Sequence, residues 1–444
     1  MPNETAGTGP PASSRRVAIV GGVRTPLARM FGALREVPAQ DLATAVFREA
    51  MQRTGVKPEE VDEVVLGCAA QPAEAANVAR VAALRAGVRT GAPAVTVHRN
   101  CASGFEAVTA AAERIRLGEA SLVLAGGVES MSRIPLYFRQ DSAEAFRKLA
   151  RAKGALLKLK AALGFRPRHF APVPALVLGL TDPVSGLNMG ETAEVLALEF
   201  GVSRAEQDAF ALESHRRAIA AAGAGRLGDE IVPLYPPPTR SSPVAADDGP
   251  RADTSIEALA RLRPLFDRKF GTVTAGNSCG VTDGGVALVV ASEERARALG
   301  QKPLGFVRSF AYAGCDPKRM GLGPAFAVPA ALEKAGLGLD AMGVVELNEA
   351  FAAQVLAVKK AFASRDFARQ HLGRDRAIGD LDGERLNPNG GAIALGHPIA
   401  ATGARLLLTL LLEMRRRGAE FGLATLCVGG GQGGAVVLEG SPTS

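Results

Sequence analysis

Cys101 stands in His98-Arg99-Asn100-Cys101-Ala102-Ser103-Gly104. Before it, residues 92–97 are small and β-branched; after it, Phe105, Val108, Ala112 and Ile115 fall at helical spacing up to Leu117. The cysteine therefore sits where a buried strand turns into the N-terminus of a helix. Unpaired backbone N–H groups and the helix dipole there favour negative charge, which is expected to lower the thiol's pKa and supply a thiolate nucleophile. A buried structural cysteine is the competing reading, because free Cys is among the most buried residue types. Three further segments weigh against it: Asn348-Glu349-Ala350-Phe351, Gly396-His397-Pro398 and Cys427-Val428-Gly429-Gly430-Gly431. Each alone reads as structural. Together, each at a loop beside the end of an element, they have the placement of converging catalytic residues in a sheet built from two halves.

The elements that must position them alternate. Strands are expected over residues 15–22, 61–67, 92–97 and 121–125, with helices over 41–54, 76–86 and 105–117 between them. Nearly continuous apolar strands alternating with helices imply a mostly parallel sheet covered on both faces. The pattern returns with strands over 302–310, 343–347 and 421–427 and helices over 327–335 and 402–416. The ends of the two halves share a grammar of helix, basic turn with Gly, buried strand and glycine run: IRLGEASLVLAGG against MRRRGAEFGLATLCVGGG. This is an internal duplication of two α/β halves. The expected division is a loose tail at 1–14, the first half at 15–131, an inserted loop domain at 132–271, the rest of the first half at 272–301, and the second half at 302–444.

A chain of 444 residues, 47% hydrophobic and 22% charged, fits a globular protein of two or three lobes, without a membrane-length apolar run or a recognisable signal peptide. Five scattered cysteines without CxxC pairs argue against a disulfide framework and for a reducing, cytoplasmic setting; with few histidines and no clustered ligands, no metal is expected. The net charge of +7 is concentrated. Between Arg133 and Arg168 ten Lys/Arg face only Asp141 and Glu144, so the basicity belongs to one segment and does not mark a nucleic-acid binder. There Leu149, Ala152, Leu156, Leu159 and Leu163 share one helical face, with Arg147, Arg151 and Lys158 opposite. Three readings are open for it: a solvated helix of the loop domain, a helix that docks on a membrane surface or a partner, and a site for the phosphates of a ligand. The Gly429–Gly433 run lacks the Lys and the following helix of a phosphate loop.

The four motifs, in this order and register, resemble the thiolase family, with the likeness running from Arg15 to Glu439. The resemblance implies a five-layered α/β/α/β/α fold with an inserted loop domain, as dimers or tetramers, and 3-ketoacyl-CoA cleavage by CoA. The long insert, PLGFVRSFAYAG and GLGPAFAVPAALEKAGL look most like the β subunits of fatty-acid oxidation complexes, which implies a hydratase/dehydrogenase α subunit or a membrane surface as a partner of residues 133–168. By the same resemblance Cys101 is the acylated nucleophile, His397 takes its proton and helps hold the thioester oxygen, and Cys427 is a general acid/base. Asn348 positions a water in one oxyanion site, and the N–H groups of Cys101 and Gly429 form the other. Breaking a β-ketoacyl thioester needs attack on a carbonyl, a carbanion leaving group and a proton to quench it, which these groups supply. Coenzyme A is then a substrate, and no cofactor is expected.

The sequence departs from the family at three places. Asn348 stands where those β subunits often have histidine, although it separates the chain from the Cys-His-His ketosynthases. Asn188 stands where many thiolases have histidine, and Cys279 where related enzymes often have serine near the pantetheine arm. Met189 is expected in the acyl pocket or in packing, Cys279 near CoA, and Arg216, Arg217 and Lys269 near CoA phosphates. Cys68, Cys315 and His98 read as packed structural residues. A condensing acetoacetyl-CoA thiolase and a non-catalytic thiolase-like carrier or scaffold subunit are the alternatives, the latter disfavoured by a complete catalytic set.

Overall fold

The computed structural model describes residues 15–441; the tail expected over 1–14 lies outside the described residues. The first half runs β1 (Val17–Arg24), α1 (Ala39–Thr54), β2 (Glu63–Gly67), α2 (Val78–Arg85), β3 (Ala94–Val97), α3 (Ser103–Leu117) and β4 (Leu122–Glu129). An insert follows with α4 (Gln140–Arg151), α5 (Ala155–Leu163), α6 (Met189–Glu199) and α7 (Arg204–Gly223), before β5 (Thr282–Ser292) closes the half. The second half runs β6 (Gly305–Gly314), α8 (Gly323–Ala335), β7 (Met342–Leu347), α9 (Ala352–Ala363), α10 (Ile399–Arg417), β8 (Phe421–Val428) and β9 (Gln432–Gly440).

The strands form one sheet in the order β7-β8-β9-β6-β1-β5-β4-β2-β3, and the halves join where Ala18 pairs with Phe306 and Ile19 with Gly305. Each half repeats the same neighbours: the first strand beside the last, the last beside the one before it, and that one beside the second. In the second half a lone parallel bridge from Val345 to Leu386 takes the place of β3. Burial follows the same plan. One apolar core lies between the first half's strands and α1 and α2, one between the second half's strands and α8 and α9. A third holds α3 and α10 between strands of both halves. These are the five layers.

The sheet is mixed, not mostly parallel. Parallel pairs are confined to β2/β3, β2/β4 and β7/β8, while β5 and β9 run antiparallel to both their neighbours. The cause is connectivity. β9 follows β8 after Gly429, Gly430 and Gly431 alone, too short for a crossover, so it must turn back. β5 enters from the insert instead of from a crossover helix.

The single amphipathic helix expected over 145–163 is broken in two. α4 ends at Arg151, and Gly154 adopts φ +88°, which only glycine takes readily, before α5 begins. The apolar stripe is thereby split, and Leu156, Leu159 and Leu163 are 80%, 58% and 78% exposed.

Candidate active site

Local bonds lock the turn that carries Cys101. Asn100 takes φ +44°, a conformation asparagine tolerates, and the Ser103 hydroxyl donates to the Asn100 carbonyl at 2.7 Å while accepting the Arg99 N–H at 2.9 Å. Arg99 pairs with Glu106 at 2.7 Å and lies over the Tyr312 ring, fixing the first turn of α3. The Asn100 side chain donates to the Gly429 carbonyl at 2.8 Å, which joins this turn to the turn after β8. The backbone N–H groups of Gly429 and of Cys101 itself both point at the Cys101 sulfur.

A close helix crossing brings His397 to the same place. A Cβ on Gly104 would stand 2.6 Å from the Ala404 nitrogen, and one on Gly403 would stand 2.5 Å from the Phe105 nitrogen, so α3 and α10 touch backbone to backbone. Cys101 lies two residues before α3 and His397 two before α10, and the crossing brings the two helix starts together. Glu129, at the end of β4, accepts the Ala69, Ala70 and Ala400 N–H groups and so pins the start of α10. The backbone of residues 277–281 stitches the remaining pieces together. Ala352 N donates to the Asn277 carbonyl, Cys279 N to the Ala350 carbonyl and His397 N to the Gly280 carbonyl. Glu349 ties the loop ahead of His397 through Ser214, Asn387 and the Ile393 N–H.

Electrostatics define the resting state. Burial holds the Cys101 thiol up at about 11, with the Glu129 charge adding to it, despite the two N–H groups aimed at the sulfur. The expectation of a depressed thiol at a helix N-terminus is therefore reversed: desolvation of the thiolate outweighs the dipole. Burial likewise pushes Cys279 to about 12 and Cys427 well above the ordinary thiol range, and the Cys101 sulfur lies within electrostatic reach of both. His397 goes the other way, down to about 4, through burial and the Arg405 cation. Its Nδ1 lies 2.6 Å from the Thr402 hydroxyl. An Nδ1–H donated to that hydroxyl leaves a lone pair on Nε2, so the site rests as a neutral base beside a neutral thiol.

Asn348 is fully buried at the end of β7, its N–H on the Thr425 carbonyl and both side-chain amide atoms without a protein partner. Met189, at the start of α6, lays its sulfur against Gly429 and packs with Phe266 and Phe351 around Cys427. Asn188 caps α6 through the Gly190 N–H. Cys101, Cys279, Cys427, His397, Gly429 and Met189 are thus gathered in one place. Arg216, Arg217 and Lys269 stand apart: Arg216 is exposed, Arg217 is held by Glu213 and the Leu386 carbonyl, and Lys269 lies over the exposed Phe270 ring. Cys68 is buried, but Cys315 is half-buried with its thiol on the Arg319 carbonyl, and His98 is exposed beyond the edge of β3 instead of packed. Thr402, Glu129 and Glu349 were not anticipated as site residues. Glu349 sits inside a motif already singled out, and Thr402 lies one helical turn past the Gly-His-Pro.

Comparison with known proteins agrees with this geometry. The family model described as "Thiolase, N-terminal domain" matches residues 17–294, and "Thiolase, C-terminal domain" matches 301–440. A 3-ketoacyl-CoA thiolase of Serratia proteamaculans is 43% identical over 96% of this chain and 97% of its own, and one of Aliivibrio fischeri is 41% identical over 96% and 95%. Among solved structures, an acetyl-CoA acetyltransferase of Bacillus anthracis superposes with TM-score 0.84 at 40% identity, covering 97% of this chain and all of the other. Human mitochondrial 3-ketoacyl-CoA thiolase superposes with TM-score 0.84 at 37% identity, covering 96% and 99%.

Proposed function

The chain belongs to the thiolase family, and from that premise we propose how its residues carry out the reaction. It is an acyltransferase that cleaves 3-ketoacyl-CoA with CoA to acetyl-CoA and an acyl-CoA two carbons shorter, the terminal cleavage of fatty-acid β-oxidation. His397 takes the Cys101 proton, and the thiolate attacks the 3-keto carbon. The 3-keto oxygen that becomes negative is met by the Cys101 and Gly429 N–H groups, while His397 and a water held at Asn348 meet the thioester oxygen that takes up charge as C2 departs. The bond between C2 and C3 breaks, and Cys427 gives its proton to C2, releasing acetyl-CoA. The incoming CoA thiol returns a proton to Cys427 and attacks the acyl-cysteine. Cys101 leaves as a thiolate and recovers its proton from His397. The residues end as they began, in a ping-pong cycle through an acyl-enzyme.

The observation that carries this reading is the pair of backbone N–H groups converging on the Cys101 sulfur beside a neutral, Thr402-anchored His397. The test is thiolysis of four-, eight- and sixteen-carbon 3-ketoacyl-CoA with Cys101→Ala as control. The variant is expected to keep the wild-type melting temperature and lose activity to background; retained thiolysis would overturn the nucleophile assignment. The Bacillus anthracis likeness favours a second reading, acetoacetyl-CoA condensation, which activity confined to the four-carbon substrate would support.

Coenzyme A and its thioesters are the substrates; a solved human relative is a complex with CoA. Cys279 and Met189 then flank the acyl and pantetheine path, with Arg216, Arg217 and Lys269 as outer candidates for the phosphates. A second copy of the chain fits the outer edge of β3, whose four residues Ala94, Val95, Thr96 and Val97 are half-exposed at the end of the sheet, and this supports a homodimer or homotetramer. Residues 133–168 suit an α subunit or a membrane surface, because Leu156, Leu159 and Leu163 are exposed on the same segment that carries Lys148, Arg151 and Lys160. No helix among the described residues is long and apolar enough to cross a membrane, and the five cysteines are unpaired, which supports a cytoplasmic setting with peripheral attachment at most.

A further inference from the structure

None of these steps uses the buried ion pair in which Arg405 on α10 donates to Glu346 on β7 at 3.0 Å, with the two side chains 1% and 0% exposed. Its position is informative. Arg405 lies on the helix that begins two residues after His397, and Glu346 lies two residues before Asn348. We infer that this pair is a positioning device for the reaction: it fastens the helix of His397 to the strand of Asn348 and sets a fixed cation behind the imidazole.

Stability alone accounts poorly for the pair. A buried ion pair is often matched or bettered by apolar side chains of the same volume. This one is also incompletely satisfied, since Arg405 Nη2 and Glu346 Oε1 have no protein partner. Asn348, two residues along the same strand, has both amide atoms unpartnered as well. Buried polar groups left open in this way ask for an explanation, and here they lie on the strand and helix that carry Asn348 and His397. Thr402 and Arg405, three apart on α10, face the same side, and Thr402 holds His397 Nδ1. One helix face therefore supplies both the imidazole's hydrogen bond and the charge behind it.

The charged and titratable groups on the elements packed around α10 identify Arg405 as the one that acts. Arg24 on β1 is neutralised by Glu230 at 2.8 Å and Asp247 at 2.6 Å. Glu129 on β4 is bound by three N–H groups, and Asp283 on β5 by Ser132. Cys101, Cys279 and Cys427 are held as neutral thiols by burial. Glu349 is bound by Ser214, Asn387 and Ile393. Burial and the charges of Glu349 and Glu230 push Glu346 up against the pull of Arg405, so its carboxyl cancels the cation incompletely. The cation is the one charge that adds to burial in holding His397 down.

The inference rests on His397 serving as the base for Cys101, and its test is built to fail separately from that reading. Arg405→Met combined with Glu346→Met removes both charges together and strands neither. The readout is the pH dependence of Cys101 alkylation by iodoacetamide, which needs no substrate, alongside kcat/KM for thiolysis. The acid limb is expected to move up by about one pH unit from its position near 4, so that kcat falls about fivefold at pH 4 and hardly at pH 6, with KM for CoA within about twofold. An acid limb left in place overturns the inference, whatever happens to kcat. Arg405→Lys keeps a cation at the same position and provides a second reading if the double variant does not fold. Its limb is expected to stay with wild type, and an upward displacement with the cation still present overturns the inference. Absence of thiolysis in the wild type, with a normal alkylation profile, would instead count against the proposed activity.

Discussion

Cys101 rests as a thiol near 11 while His397 rests as a neutral imidazole near 4, so the nucleophile is generated only when substrate arrives. Proton transfer from one to the other is uphill in the free site, and the developing oxyanion must repay it through the Gly429 and Cys101 N–H groups. Thr402→Val tests the orientation of the base. It removes the 2.6 Å contact at Nδ1 and leaves an isosteric methyl in a buried position. A loss in kcat of about 10²-fold is expected, with KM within about twofold, because the base would lose its tautomer and direction but not its place. Cys427→Ser tests the acid. A buried hydroxyl is a poorer proton donor to carbon than a thiol, so kcat should fall by about 10²-fold or more while Cys101 alkylation stays at the wild-type rate. An unchanged rate would exclude the second thiol. At this scale the positions were most legible in the sequence: Cys101, Asn348 and His397 stand just outside element ends, and Cys427 lies one residue inside the end of β8. The sign of the Cys101 shift was not, since desolvation depends on how completely the turn is covered, and that is decided by residues as distant as Gly429.

The elements show why four short motifs from distant parts of the chain converge. α3 and α10 cross where Gly104 and Gly403 allow backbone contact, and each helix begins two residues after a reacting side chain. Gly403→Ala would push a Cβ to within 2.5 Å of the Phe105 nitrogen, an atom held in a helix and unable to give way. It is expected to cost about 1–3 kcal/mol in chemical denaturation and to lower kcat by more than that loss of folded protein accounts for, because the helices can separate only by parting Cys101 from His397. A variant that is destabilised yet retains full kcat per folded molecule would refute this account. Most elements could be placed from periodicity, including the repeated grammar at the ends of the two halves. The strand directions could not, because apolar runs look alike in parallel and antiparallel pairs, and β9 was hidden by the glycines that begin it. The amphipathic stripe over 145–163 misled for a related reason: periodicity ignores Gly154, whose positive φ ends the stripe.

In the whole molecule, the duplicated body buries its apolar faces in three cores and α6 and α7 of the insert pack into smaller ones, while α5 leaves its leucines uncovered. Leu156, Leu159 and Leu163 contribute little to the fold, being 80%, 58% and 78% exposed, yet they lie on the segment that carries the chain's excess positive charge. Exposed leucines are tolerated singly, but several on one short helix mark a surface meant to be covered. Replacing all three with serine should therefore leave the melting temperature within about 2 °C of wild type and thiolysis of short substrates unchanged, since surface changes are usually within ±0.5 kcal/mol. The same variant should lose binding to anionic vesicles or to a hydratase/dehydrogenase subunit, whichever the wild type shows. Reversing the charge of Arg147, Arg151 and Lys158 separates the contributions. Binding lost to charge reversal, and lost by the wild type as ionic strength rises, would indicate electrostatic docking, while binding lost only with the leucines would indicate burial of the apolar face. If both variants bind as wild type does, the helices of the insert are solvated parts of the protein's own loop domain, and the basic segment has no partner to explain it.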